Sequence, residues 1–161
     1  MGAIVKVGMA DLNICKSPDI ITTLGLGSCI GIALYDPVTK IGGLAHIMLP
    51  DSTTMRNNSN LAKFADTGIE ALVKKMVSAG ASRQRLVAKI AGGARMFEMA
   101  SNSSIGNIGE RNAQASVDKL KKMGIPLKAS DTGLNYGRTV ELHTENGDFH
   151  IKSVGKTRKI L

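Results

Sequence analysis

Two turn signals, one near each end of the chain, constrain the fold more than any other feature of the sequence. They are Asp36-Pro37-Val38-Thr39 and Asn146-Gly147. Each separates two strand-like segments, which are residues 30–35 and 40–49 for the first signal and residues 139–144 and 148–154 for the second. Turn residues between such segments, and Asn-Gly above all, are typical of β-hairpins. The sequence therefore predicts a hairpin near each end.

Two helical segments fall between the remaining strands. Strands are predicted at residues 5–9, 20–26, 85–91 and 127–130, and apolar spacing predicts helices over residues 61–79 and about 109–123. Because strands outnumber helices and the helices fall between strands, we expect an α+β fold: a layered β-sheet sandwich with helices on the outer face. No linker or repeat interrupts residues 1–161, so we expect a single domain.

The first hairpin brings a cysteine and a histidine together. If Pro37-Val38 is a two-residue loop, Asp36 pairs with Thr39, and the same register places Cys29 directly opposite His46. Opposed residues share a sheet face with Cβ atoms roughly 4.5–5.5 Å apart, which permits a sulfur–imidazole hydrogen bond. A shift of one residue would place them on opposite faces.

The two faces of this hairpin differ in side-chain size. The bulky face, which we expect in the core, carries Ile30, Ile32, Leu34, Ile41 and Ile47. The face of Cys29 also carries Gly31, Ala33, Gly42 and Leu44. Small residues there would leave room above the thiol for a substrate or for a covering element.

Cys29 is a candidate nucleophile with His46 as its base. A free thiol is only slightly ionised at neutral pH, and an imidazole that takes its proton makes it reactive. Glycines precede Cys29, and the main chain at Gly27 and Ser28 could supply N–H groups to an oxyanion. A buried structural cysteine is the plainer alternative.

Charge and composition narrow the partners. The net charge is +8, yet basic residues are mostly scattered, Trp is absent and there are only five Phe and Tyr residues. Base-stacking platforms are therefore scarce, and we expect no nucleic acid. A solvated basic surface and steering toward an acidic protein both remain open. The chain has only two cysteines, and no basic-then-apolar leader precedes the first strand, so we expect the protein in the cytoplasm. Since no apolar run is long enough to cross a bilayer, we expect no membrane insertion.

Three further features have functional and structural interpretations. A two-residue Asn146-Gly147 loop would place His143 opposite His150, but two imidazoles without an evident third ligand favour a surface pair over a metal site. Residues 107–112 begin a helix, whose free N–H groups could bind an anion or could simply pack against the rest of the protein. Met96 and Phe97 are either buried under a helix or exposed beside the active site, where they would dock a partner helix.

Six ordered motifs resemble the CheD family of chemoreceptor glutamine deamidases. They are TLGLGSC at residues 23–29, GLAHIMLP at 43–50, KFADT at 63–67, KIAGGA at 89–94, NIGERN at 107–112 and DTG at 131–133. The resemblance covers nearly the whole chain. One departure is visible, because the family usually has a second glycine after DTG, where this chain has Leu134.

The resemblance implies a fold similar to the catalytic domain of cytotoxic necrotizing factor toxins and a papain-like chemistry. Cys29 would be the nucleophile, His46 the base and then the acid, and Thr23 the third member, unless Thr23 is an ordinary strand residue. The implied activity converts glutamines of chemoreceptor helical bundles to glutamate through a thioester, without metal or other cofactor. Cleavage of glutamyl methyl esters is a natural side reaction.

The family also implies binding to CheC, the phosphatase of the response regulator CheY. The competing interpretation is therefore a regulatory protein that binds CheC and chemoreceptors stoichiometrically. The enzyme depends on Cys29, whereas regulation by association does not.

Overall fold

A computed structural model describes residues 2–96 and 107–161 of the chain. Within them lie ten strands and two α-helices. The strands are β1 (Ile4–Val7), β2 (Asp11–Lys16), β3 (Ile20–Leu26), β4 (Ile30–Asp36), β5 (Ile41–Ile47), β6 (Val87–Gly92), β7 (Leu127–Thr132), β8 (Arg138–His143), β9 (Asp148–Lys152) and β10 (Lys159–Ile160). The helices are α1 (Ala65–Ser78) and α2 (Ile108–Lys122). Both helices and both hairpins were predicted, and their existence is confirmed.

The strands form two five-stranded sheets, which lie face to face. The first sheet has the order β1-β3-β8-β9-β10 and the second has the order β2-β5-β4-β6-β7. Both are mixed, because the β1–β3 and β6–β7 pairs are parallel and the others are antiparallel. Both helices cover the second sheet, where their apolar residues join the core formed by β4, β5 and β6. The layered α+β fold with helices on an outer face is thus confirmed.

The small residues on the Cys29 face let the two sheets approach each other. A Cβ atom at Gly42 would lie 2.8 Å from side-chain atoms of Leu142 and Thr144 in and beside the first sheet. A Cβ atom at Gly31 would lie 3.0 Å from Leu26. The space predicted for a substrate or a covering element is therefore occupied, over most of the hairpin, by the first sheet.

The predicted register of the first hairpin is wrong by two residues. Asp36 pairs with Ile41, so the loop has four residues, and Gly31 rather than Cys29 lies opposite His46. The N–H of Lys40 closes the loop by donating to the Asp36 carbonyl at 2.8 Å, with Lys40 at a φ of 56°. Because the difference is an even number of residues, Cys29 still belongs to the face that packs on the first sheet.

The second hairpin departs from its predicted register in the same way. His143 lies opposite Asp148, and Glu141 rather than His143 lies opposite His150. Its loop is again closed by the N–H of its last residue, Gly147, which donates to the His143 carbonyl at 2.7 Å. The two histidines nevertheless share a face, and their rings stack with centroids 4.0 Å apart.

Two strands, β2 and β10, were not predicted. β2 is an edge strand whose side chains are mostly half-buried or exposed, so its sequence lacks a clear apolar alternation. β10 has only two residues, both exposed. Neither has a pattern that a window of sequence can recognise.

Leu134, at the position where the resemblance leads us to expect a glycine, has left-handed backbone geometry. Its φ is 62°, and that of the preceding Gly133 is 84°. This conformation costs a residue with a Cβ atom about 1–2 kcal/mol, whereas glycine adopts it freely. The Leu134 side chain is 62% exposed, so the departure changes backbone strain more than core packing.

The first hairpin loop is fixed by the buried carboxylate of Asp36. It accepts hydrogen bonds from the N–H groups of Val38 and Ser82 and two from the Arg85 guanidinium, at 2.8–3.0 Å. Burial alone would raise the pKa of Asp36, but hydrogen bonds from Arg85 and from main-chain N–H groups hold it well below its ordinary value of 3.8. The folded protein therefore favours the ionised carboxylate.

Asp36→Asn should destabilise the protein at neutral pH and not at low pH. A depressed pKa stabilises the fold above the ordinary carboxyl pKa, and this contribution is lost as the pH falls through the folded value. Since Arg85 is 39% exposed, solvent weakens the pair, and we expect a loss of about 1–2 kcal/mol at pH 7. Urea unfolding of the wild type and the variant at several pH values measures this difference in the free energy of unfolding.

The matched control is Asp118→Asn, at an exposed carboxylate that accepts a hydrogen bond from Gln114. It should change the free energy of unfolding by less than about 0.5 kcal/mol at any pH. A loss for Asp36→Asn that stays constant from pH 7 down to about pH 2 would contradict the role of the charge.

Candidate active site

Thr23, Cys29 and His46 all lie between the two sheets. Thr23 lies on β3 of the first sheet, His46 lies on β5 of the second, and Cys29 directly precedes β4. Their exposed fractions are 1%, 7% and 1%. The structure thus brings together the three residues for which catalytic roles were predicted, in a site that is almost closed to solvent.

The Thr23 hydroxyl determines which nitrogen of His46 carries the proton. Thr23 Oγ1 donates to the Val7 carbonyl at 2.7 Å and lies 2.7 Å from His46 Nδ1. A hydroxyl has one proton to donate, and that proton is used by Val7. Nδ1 must therefore be the N–H that donates to Thr23, which leaves Nε2 of the neutral ring as an acceptor.

Nε2 of His46 is buried and has no hydrogen-bond partner among the described residues. Cys29 is one of the described residues, so its thiol and the His46 ring do not form a hydrogen bond in this arrangement. Cys29 is two positions from Gly31, the residue opposite His46, and such diagonal neighbours have Cα atoms about 7–8 Å apart. Catalytic hydrogen bonds in free enzymes are often long and form fully only with substrate bound.

Burial keeps both groups neutral at pH 7. It raises the pKa of the Cys29 thiol above its ordinary value of 9.0, although the main-chain N–H of Cys29 opposes this by favouring the thiolate. Burial lowers the pKa of His46 below its ordinary value of 6.5. The resting pair is therefore a thiol and a neutral imidazole, and not a preformed ion pair.

The carbonyl groups of the Cys29 loop are all held by neighbouring elements. The Gly27 carbonyl accepts from Ala94 N–H at 2.8 Å, and the Cys29 carbonyl accepts from Gly93 N–H at 2.9 Å. The Ser28 carbonyl accepts from Asn112 Nδ2 at 3.0 Å. The loop is thus fixed by the segment that follows β6 and by α2.

The N–H groups of the same loop are largely free. Gly27 N–H donates to the Gly25 carbonyl at 3.1 Å, but neither Ser28 N–H nor Cys29 N–H donates to any acceptor in the described part of the chain. Two unused N–H groups beside a thiol can stabilise negative charge on a substrate oxygen. Of the two predicted oxyanion residues, Ser28 therefore has an available N–H, and Cys29 adds a second.

Gly92 allows β6 to lie against the main chain of Cys29. Its φ is 116°, and a Cβ atom there would overlap the Cys29 carbonyl oxygen. Arg138 of the first sheet donates to the Gly92 carbonyl at 3.3 Å and to Asp131 of the second sheet at 3.0 Å. This buried ion pair joins the two sheets next to the active-site loop.

Met96 lies beside the active-site loop and is 45% exposed. Its Cγ atom would be 3.1 Å from a Cβ atom on Gly27. Phe97, the other residue predicted to contact a partner, lies outside the described residues. A partner contact at these two residues stays a prediction.

Glu141 lies beside the two stacked histidines and was not predicted as their neighbour. Glu141, His143 and His150 have potential ligand atoms within 4.8 Å of one another. However, Glu141 accepts from Lys152 at 3.0 Å and lies 3.2 Å from His143, while Arg158 lies 3.1 Å from the His150 ring. Two cations already occupy the polar atoms that a metal would need, which favours an ion-pair network over a metal site.

The fold and this site define a class of protein: a layered α+β protein with a thiol and an imidazole enclosed between its sheets. Among the described residues, neither α-helix has the length and apolar character needed to cross a membrane.

Comparison with known proteins narrows the class to one family. A family model described as CheD chemotactic sensory transduction matches residues 48–153. The probable chemoreceptor glutamine deamidase CheD of Lachnoclostridium phytofermentans is 59% identical over 99% of both chains. The protein of the same name from Caldanaerobacter subterraneus subsp. tengcongensis is 57% identical over 98% of both chains. The chain belongs to the CheD family.

A solved structure, Bacillus licheniformis hypothetical protein YfiH, aligns with a TM-score of 0.47 and 16% identity over 78% of this chain and 51% of that one. Such a distant likeness says nothing about function. The matched family segment begins after Cys29 and His46, whereas the curated relatives span both residues.

Thr23→Val should change the tautomer of His46. Valine has the shape of threonine without the hydroxyl, so His46 Nδ1–H loses its acceptor, and we expect the proton to move to Nε2. Nitrogen chemical shifts of the imidazole, measured by NMR, report which nitrogen is protonated. The expected result is an Nδ1–H form in the wild type and a predominantly Nε2–H form in the variant.

Thr22→Val is the matched control. Thr22 is also buried, and its hydroxyl donates to the Val140 carbonyl at 2.7 Å, so each variant loses a hydrogen bond worth about 1 kcal/mol. Of these two threonines, it is Thr23 whose hydroxyl lies at hydrogen-bond distance from the His46 ring. Equal imidazole spectra for the two variants would refute the role assigned to Thr23.

Proposed function

We propose that this protein is a cysteine-dependent protein-glutamine deamidase that converts specific glutamines of methyl-accepting chemotaxis receptors to glutamate. One observation carries the proposal: the His46 ring is held by Thr23 at Nδ1, and its Nε2 has no partner among the described residues. His46 belongs to the same sheet face as Cys29. The names of the relatives, probable chemoreceptor glutamine deamidase, supply the substrate class.

The first half of the reaction forms a thioester. When a glutamine side chain reaches the site, the Cys29 sulfur attacks its amide carbon while the thiol proton passes to His46 Nε2. The carbonyl oxygen becomes an oxyanion, which the N–H groups of Ser28 and Cys29 would stabilise. His46 then gives the proton to the amide nitrogen, the carbon–nitrogen bond breaks and ammonia leaves.

The second half hydrolyses the thioester. His46 Nε2 takes a proton from a water molecule, whose oxygen attacks the thioester carbon, and the carbon–sulfur bond breaks. The proton returns to the sulfur, and glutamate is released. One water is consumed and one ammonia is produced, so these steps balance without a metal or other cofactor.

The neutral resting pair makes His46 essential in this scheme. Because burial raises the pKa of Cys29, little thiolate is present before the substrate arrives, and the proton must leave during the attack. Thr23 keeps Nε2 free for this step. The same sulfur can attack a glutamyl methyl ester, with methanol leaving in place of ammonia, so we also propose a methylesterase side activity.

The second candidate function is stoichiometric regulation by binding to CheC and to chemoreceptors. It is favoured by Met96, an apolar side chain that is 45% exposed beside the Gly27 turn. The net charge of +8 would attract an acidic partner. Both functions place the protein in the cytoplasm, and the likeness to cytotoxic necrotizing factor toxins stays a prediction from the resemblance.

Cys29→Ala should abolish deamidation, and Cys15→Ala should not. Both cysteines are buried and free, but only Cys29 lies on the loop with unused N–H groups. Mass spectrometry of a receptor cytoplasmic fragment incubated with each variant measures the reaction, because each conversion of glutamine to glutamate adds about one dalton. Both variants should remain folded.

Wild-type activity in a folded Cys29→Ala protein would exclude the covalent mechanism. If the wild type modifies no glutamine but binds CheC or the receptor fragment equally well with and without Cys29, the regulatory function is correct instead. The two functions therefore give different results in the same pair of measurements.

His46→Ala should lower turnover by about 10²–10⁴-fold, the usual contribution of general acid–base catalysis. It should also slow alkylation of Cys29 by iodoacetamide at pH 7. Since the raised pKa of Cys29 places thiolate formation above pH 9, alkylation of the two proteins should converge in strongly alkaline solution. Equal alkylation rates at neutral pH would show that His46 does not activate the sulfur.

A further inference from the structure

Asn112 of α2 connects the two segments that carry the nucleophile and the base. It is fully buried, and its Nδ2 group donates to the Ser28 carbonyl at 3.0 Å and to the Met48 carbonyl at 2.9 Å. Ser28 immediately precedes Cys29, and Met48 follows His46 by two positions. One amide group therefore fixes both segments to the same helix.

The amide of Asn112 is not explained by packing. Its Oδ1 atom is buried and has no partner among the described residues, and an unsatisfied buried acceptor destabilises a folded protein. The other buried residues of α2 are Gly109, Ser116 and Leu120, none of which touches the Cys29 loop through a side-chain hydrogen bond. An apolar side chain of the same shape would avoid the unpaired oxygen, so the two donated bonds are the reason for an amide here.

The bond to Ser28 has a directional consequence for Cys29. A peptide group is planar and trans, so its C=O and N–H point in opposite directions. Holding the Ser28 carbonyl toward α2 turns the Cys29 N–H away from the helix. That N–H donates to no acceptor in the described part of the chain, so it is available to the oxygen of a substrate carbonyl attacked by the adjoining sulfur.

We infer that Asn112 is a positioning residue that, through the Ser28 carbonyl, aims the Cys29 N–H at the oxyanion of the reaction. The inference rests on the proposed covalent function of Cys29. Asn112 does not touch the substrate. It holds a donor in place before the charge develops, so that no reorientation is needed during the attack.

The test separates two reactions of the same thiol. Acylation by p-nitrophenyl acetate passes through a tetrahedral oxyanion, whereas alkylation by iodoacetamide displaces iodide from a saturated carbon and forms none. In Asn112→Leu, which keeps the branched shape without the donors, acylation should fall about 10²–10³-fold, the cost of a lost oxyanion donor. Alkylation should stay close to the wild-type rate, and kcat for deamidation should fall with acylation while KM changes little.

Ser116→Ala is the matched control. Ser116 is buried on the same helix, and its hydroxyl donates to the Asn112 carbonyl at 2.8 Å, so the variant loses a buried hydrogen bond without touching the Cys29 loop. Both of its rates should equal those of the wild type. If Asn112→Leu slows acylation and alkylation equally, Asn112 has a purely structural role and the inference is wrong.

Two further outcomes are decisive. If Asn112→Leu does not fold, Asn112→Ala replaces it, since a smaller side chain cannot overpack the site, and failure of both to fold would assign Asn112 to stability alone. If the wild type deamidates no receptor glutamine, yet Asn112→Leu slows acylation and leaves alkylation near the wild-type rate, the proposed substrate fails and the role of Asn112 stands.

Discussion

The close approach of the two sheets is the constraint on which the site depends. It is possible because Gly31 and Gly42 present no side chain toward the first sheet. Only at this separation can the hydroxyl of Thr23, on one sheet, reach the ring of His46, on the other. The same hydroxyl is bound to the Val7 carbonyl, so sheet packing, rather than a charged neighbour, selects the tautomer of the imidazole.

The loop that carries Cys29 is fixed by hydrogen bonds, although its thiol is protonated at rest. The carbonyl groups of residues 27, 28 and 29 are bound by the chain after β6 and by α2, while burial keeps the thiol protonated. A protonated, enclosed thiol resists oxidation and alkylation, because both require the thiolate. The structure therefore combines a main chain fixed by hydrogen bonds with a buried, protonated thiol, and under the proposed mechanism that thiol reacts when a substrate and His46 act together.

Much of the fold could be predicted because hydrophobic alternation survives errors of register. In both hairpins the loop has four residues rather than two, closed by the N–H of Lys40 or Gly147, and every cross-strand pair is displaced by two positions. Side chains alternate with period two, so the assignment of each residue to a face remained correct. The sequence window could not supply the loop length, which in the first hairpin depends on Asp36 contacts with the distant Ser82 and Arg85.

For the site, the sequence by itself determined which residues are candidates for the chemistry: a cysteine after a glycine-rich turn, a histidine on the same sheet face and a family pattern containing Thr23. Only the tertiary structure decided their geometry, namely the proton on Nδ1, the free N–H groups of Ser28 and Cys29, and the reach of Asn112 to residues 84 and 64 positions away. Residue types and short-range patterns can be identified directly from the amino-acid sequence. Hydrogen bonds between distant segments depend on how layers pack, and no local pattern encodes that packing.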